Sequence, residues 1–144
     1  MNSLPKLVSK KLINPVYKRK NKSNVDITLK ALGVSASSIF KLFYELYEGP
    51  FGSEVTGFEV VDLFECEPNE QNIISLTKIC REEYQFPNKF LVLTELLGGG
   101  VLVYDTENDC VFNVDFEGSD QDLINGTLEP DWSSFYEFLD FYFW

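Results

Sequence analysis

Histidine is absent from the chain. This removes Ser-His-Asp and Cys-His nucleophilic sites, most zinc sites and the usual general base near neutral pH. Paired carboxylates remain as formal acid–base candidates. With 22 acids between residues 31 and 144, however, every spacing occurs and none points to a reaction, so no catalytic residue is expected. Cysteine is scarce as well. Cys66, Cys80 and Cys110 are far apart and form no CxxC pair, which argues against a disulfide framework or a zinc site and suits a reducing cytoplasm. Each is expected to serve as a small core residue. Long apolar runs are missing too. The opening MNSLPKLVSKKLINPVYKRKNKS offers no seven-residue apolar stretch of a secretory signal, and no run approaches the ~18 residues of a membrane span. The expectation is a soluble cytoplasmic protein with no membrane contact and no cofactor.

Positive charge is in short supply, but it is not evenly thinned. Residues 1–30 carry eight Lys/Arg and one acid, whereas residues 31–144 carry four Lys/Arg and 22 acids. Overall the net charge is -11 and the pI about 4.3. A body this acidic repels nucleic acid and speeds encounter with a basic partner; acids also keep a domain soluble. The 144 residues, 44% of them hydrophobic and 15% aromatic, suffice for one folded domain with an ordinary core. The charge break divides the chain into a basic arm, 1–24, and one domain, 25–144. The arm carries Pro5, Pro15 and Lys18-Arg19-Lys20 and reads as irregular or partly helical. It is either a solvated tail or a segment that folds onto the acidic body or touches a partner.

Apolar spacing predicts the elements. Val25–Gly33 reads as a helix with Ile27, Ala31 and Leu32 on its apolar side and Gly33 at its end. A second helix starts at Ser35, buries Ile39, Leu42, Phe43, Leu46 and Tyr47, turns Tyr44 outward, and stops at Gly49-Pro50. Gly57–Glu65 reads as a strand. A helix opened by Pro68-Asn69 runs to about Tyr84 with Ile73, Leu76, Thr77, Cys80 and Tyr84 inward, and Phe90–Leu97 is a strand. Val101–Asp105 and Cys110–Asp115 pair as a hairpin across Thr106-Glu107-Asn108-Asp109, with Asn108 suited to a left-handed turn position. A loop with Gly118 and Asn125-Gly126 follows. Ser134 and Glu137 form a capping box for a last helix striped by Phe135, Phe138, Leu139 and Tyr142. Consecutive strands between helices argue for an α+β fold: a single, mainly antiparallel sheet flanked by helices.

The stretch LGGGVLVYDTENDCVFNVD imitates two ligand loops and fits neither. A dinucleotide fingerprint needs glycine where Val103 stands, and a helix after it. Asp105, Glu107 and Asp109 match positions 1, 3 and 5 of a calcium loop, but Cys110 replaces the turn glycine and Phe116 the bidentate glutamate. No metal site is expected. The glycines suit close backbone approach or a bulge.

The order of motifs resembles the SUKH superfamily. LGVSASSIFKLFYELYEGPFG is similar to its opening Leu-Gly and Phe-x-x-x-Tyr helix, though Val34-Ser35-Ala36 stands where Leu-Pro is common. The glycine triplet with its hairpin looks like the central hairpin, and DWSSFYEFLDFYF like the closing helix. The resemblance spans Val25–Trp144. It implies an α+β domain without catalytic residues, and an immunity protein that binds and neutralises a cognate bacterial toxin domain, often a nuclease. Nucleases are usually basic because they hold phosphates, so an acidic body suits such a partner. The acids expected to meet it are Glu65, Glu67 and Glu70 at a strand-to-helix corner, and Asp115, Glu117, Asp120 and Asp122 after the hairpin. The alternative is a regulatory scaffold for a cellular protein. Nucleic-acid binding through Lys10, Lys11, Lys18, Arg19, Lys20 and Lys22 is opposed by the acidic body, and the free chain is expected to be a monomer.

Overall fold

The hairpin at the centre organises the rest. In a computed structural model, which describes residues 3–64, 70–96 and 99–144, strands β1 (Phe90–Val92), β2 (Gly100–Asp105) and β3 (Cys110–Asp115) form one antiparallel sheet in that order. The register pairs Val101 with Val114 and Val103 with Phe112 on one face, and Leu102 with Asn113 and Tyr104 with Val111 on the other. Asp105 closes the turn. Its carboxylate accepts the backbone N–H groups of Glu107 (2.9 Å) and Asn108 (3.1 Å) and the Asn108 side-chain amide (2.9 Å). The left-handed residue is Asp109 (φ 57) rather than Asn108. Asn108 is held by its bonds to Asp105, while the Asp109 carboxylate accepts the Tyr104 hydroxyl at 2.7 Å.

Among the described residues there are six α-helices: α1 (Lys6–Lys11), α2 (Ser23–Ala31), α3 (Ser38–Leu46), α4 (Ile73–Glu83), α5 (Ser119–Asn125) and α6 (Phe135–Tyr142), with a 3-10 turn at Pro15–Tyr17. On the Tyr104 face, Phe40 of α3 stacks on Tyr104 at 4.5 Å, and Phe135 of α6 meets both rings at 4.9 and 5.1 Å. On the other face Val101, Val103, Phe112 and Val114 are buried beneath α4 and α5, and Tyr84 at the end of α4 meets Phe116 at 4.4 Å. The fold is α+β, one antiparallel sheet flanked by helices. Each fully buried Leu or Phe contributes about 1.5–3 kcal/mol. Pairing of Val111 with Trp132, and of the Asn113 N–H with the Asp131 carboxylate (2.7 Å), covers the outer edge of β3, which would otherwise template a foreign strand.

Several elements depart from the sequence expectations. In α2 the buried residues are Val25, Thr28, Leu29 and Leu32, and Ile27 is 63% exposed. The helix begins at Ser23, and Ile27 lies about 200° around the axis from Val25. In α3 the cap is Ser37, whose Oγ accepts the Phe40 N–H (3.2 Å). Phe40, Phe43 and Tyr44 are buried and Leu46 is exposed. The large rings take the core, and the Tyr44 hydroxyl donates to the Val61 carbonyl (3.2 Å). Of the expected strand Gly57–Glu65, the described residues 57–64 form no regular strand and make isolated bridges instead, Val60 with Phe51 and with Thr94; Glu65 and the expected helix opening at Pro68-Asn69 lie outside the described residues. The Val61 N–H bonds the Leu93 carbonyl, where β1 has left the regular ladder. The loop expected before Asn125-Gly126 contains α5. At α6 the capping box is split: Ser134 Oγ accepts the Glu137 N–H (3.1 Å), while the Glu137 carboxylate accepts from Ser133 N–H and Oγ. Its buried stripe, Phe135, Phe138, Leu139 and Tyr142, follows the sequence pattern, as do Ile73, Leu76, Thr77 and Cys80 of α4.

The basic segment belongs to the same core. Val8 and Leu12, one turn apart, are buried within it, so the core crosses the expected boundary at residue 24. Arg19 is buried and ion-paired with Asp62, itself buried. Its Nε donates to the Tyr44 carbonyl (2.8 Å), one Nη to the Tyr47 carbonyl (3.1 Å), and its guanidinium lies 4.5 Å from the Phe64 ring centre. Among the described residues no helix is long and apolar enough to cross a membrane.

Candidate partner-binding surface

Glu65 and Glu67 lie outside the described residues. Glu70 is half-buried just before the α4 cap, where its carbonyl accepts from the Asn72 side chain (3.4 Å). The second expected cluster is a turn that uses part of its own charge. Asp115 accepts the N–H groups of Glu117 (2.9 Å) and Ser119 (3.2 Å), and these bonds hold its carboxyl below the ordinary 3.8. Asp120 is buried and accepts the Gly118 N–H at 3.3 Å. Glu117 and Asp122 are exposed. Glu70 and the second cluster do not converge. Glu70 stands at the N-terminal end of α4, and Asp115 adjoins Phe116, which packs on Tyr84 at the other end. The 11 residues of α4 span about 16 Å, twice the ~8 Å Debye length at physiological salt.

A different pair of acids shares a groove. Between residues 52–59 and the open end of the sheet lies a cleft of about 610 Å³. Leu102 and the adjoining strand backbone form its floor, and Phe58, Glu59, Thr94 and Glu95 its walls; among the described residues no Lys or Arg lines it. Tyr142 of α6 fixes the outer wall. Its hydroxyl donates to the Phe51 carbonyl and accepts the Val60 N–H (3.0 Å), and Phe58 stacks on its ring at 6.2 Å. Burial pushes the Tyr142 phenol up to about 12, so it stays neutral as a donor. Ser53 Oγ donates to the Tyr142 carbonyl (2.6 Å). On the sheet side, Thr94 Oγ1 accepts the Leu102 N–H (3.0 Å).

Gly99 and Gly100 serve this architecture. Gly99 has φ +80, in the left-handed region, and a Cβ on Gly100 would stand 3.0 Å from the Val114 carbonyl oxygen. The aromatic chain continues outward from Tyr142. Phe138 lies 5.4 Å from it, Trp132 5.1 Å from Phe138, and Phe141 5.2 Å from Trp132. Tyr136 and Phe141 of the last helix and Trp144 just beyond it are exposed, as are Glu137 and Asp140. From Phe90 to Trp144 the sequence has twelve acids and no lysine or arginine.

Sequence reasoning passed over Glu59 and Glu95. The available signal was an acid interrupting an apolar run, in GFEVV and in FLVLTELL. Of the acids expected after the hairpin, Asp115 and Asp120 cap backbone instead.

Asp105 gives its oxygens to the turn and stands 3.5 Å from Lys89 Nζ. Among the described residues no group of three or more metal-ligating side chains forms. Cys80 and Cys110 are buried, which pushes both thiols up to about 11. No protein-family model matches the chain, and no curated protein matches it.

Proposed function

We propose that the protein is a non-catalytic binding protein of the immunity type: it docks on a basic protein domain, such as a nuclease toxin, and neutralises it by covering its surface. The observation that carries this reading is the groove walled by Glu59 and Glu95, floored by apolar residues, free of basic lining residues, and continuous with the aromatics of α6. A lysine or arginine of the partner entering it meets two carboxylates and the Phe58 ring, which favours a cation both by charge and by its π face. Exposed aromatics beside a charged groove are the usual anchors of a protein interface. Glu117 and Asp122 add to the long-range field that speeds encounter without themselves being in the groove. The resemblance to the SUKH superfamily points the same way.

The test is capture of the partner followed by charge reversal. The protein, immobilised, is exposed to lysate of its own source at moderate salt and eluted at high salt. Recovery in equal proportion of a basic domain whose nuclease or other toxic activity the protein inhibits is the expected result. Glu59→Lys with Glu95→Lys then weakens binding at least ~10-fold and flattens its salt dependence. Recovery of housekeeping proteins alone would replace this reading with a regulatory scaffold. Full affinity in the double reversal would remove the groove from the interface.

A further inference from the structure

We infer that the protein has a second docking groove of opposite character, on its N-terminal segment, which takes an acidic peptide segment with an apolar anchor. The backbone of residues 17–19 is laced to 46–48: Lys18 bridges Tyr47, the Arg19 N–H bonds the Leu46 carbonyl (2.9 Å), and the Glu48 N–H bonds the Tyr17 carbonyl (2.8 Å). Beneath this ladder the Arg19–Asp62 pair ties the segment to the core. The cleft beside it, about 520 Å³, is therefore preformed. Leu12, Leu46 and Tyr47 give it an apolar floor, Ile13 an apolar lip, and Lys18 and Lys22 a cationic rim. Among the described residues no carboxylate lines it.

Ile13 is 81% exposed and neighbouring Val16 67%. Two branched aliphatic side chains left in water beside lysines favour a ligand that is apolar in the middle and anionic around it. The lysines are available for it: Lys11 is committed to Glu54 (2.8 Å) and Arg19 to Asp62, whereas Lys18 and Lys22 make no ion pair among the described residues. The acidic remainder of the molecule repels such a ligand elsewhere and so orients it. A flat anionic bilayer fits less well. The site is a concave cleft, which seats a narrow segment rather than a planar surface.

The probe is a short fluorescein-labelled peptide with a Leu-Phe pair flanked on both sides by glutamates. Anisotropy should show saturable, salt-weakened binding, with amide shifts at Ile13, Lys18, Leu46 and Tyr47. Ile13→Asp, and separately Lys18→Glu with Lys22→Glu, should each weaken it at least ~10-fold. Lys78→Glu on α4, a single charge reversal away from the cleft, should leave it within about twofold. All these side chains are exposed, so the variants should melt as the parent does. Absence of saturable binding, or an equal loss in Lys78→Glu, overturns the inference. So does binding of phosphatidylserine vesicles or an oligonucleotide through these residues when the peptide does not bind.

Discussion

The first thirty residues and the last fifty-five are chemical opposites, one rich in lysine and the other without a single base. Both nevertheless supply the same core: Val8 and Leu12 from one, Phe135, Phe138 and Tyr142 from the other. Each also divides its charges in two. In the basic segment Arg19 is sealed against Asp62, while Lys18 and Lys22 rim an open cleft. In the acidic region Asp105, Asp115 and Asp120 accept backbone N–H groups, while Glu59 from the facing loop and Glu95 wall the other groove. Charge density therefore says little about a residue's task. What separates structural from available charges is whether the fold brings a donor or a counter-ion to them.

Removing residues 1–22 should break this comparison most severely. If the basic segment were an appendage, the remainder would fold. Because it carries Val8, Leu12 and Arg19 into the core, the truncated chain should lose its cooperative thermal transition and near-ultraviolet dichroism. A well-folded remainder would restore the boundary at residue 24. Arg19→Ala comes next. It leaves the Asp62 carboxylate buried without its cation and should cost about 3–5 kcal/mol in urea unfolding, whereas Lys11→Ala, which loses a water-screened pair, should hardly move the midpoint. Equal effects would mean that burial does not distinguish the two cations.

On the acidic side, Gly100→Ala pushes a methyl against the Val114 carbonyl and should cost about 1–3 kcal/mol. The smallest effect is expected from Asp115→Asn. The folded carboxyl lies below its ordinary value, so its contribution is complete above about 3.8 and is lost as pH falls through the lower folded value. Melting temperatures of parent and variant should thus differ at neutral pH and converge in acid. A difference that is independent of pH would show that the Asp115 charge is not what holds the turn.

The hairpin and the last helix were legible because their signals are local: alternating β-branched residues around a polar turn, and a Ser cap followed by aromatics at helical spacing. The buried faces of α2 and α3 were not. In both, two apolar faces compete, and only tertiary packing decides which one turns inward, as that of Phe40 on Tyr104 and Phe135 does for α3. That Asp115 and Asp120 accept backbone N–H groups was not legible either, because an aspartate that caps a turn and one that faces solvent are identical in sequence. Glu59 and Glu95 became visible as a pair only when a distant loop was laid across the end of the sheet.

By itself the sequence determined the α+β class, the central hairpin, the capped aromatic helix and the uneven charge, since each depends on neighbours a few residues away. Tertiary structure decided which cation is buried, which acids share a groove, and that the basic segment is part of the core. Those outcomes depend on contacts between residues 25 to 91 positions apart, which no local periodicity encodes.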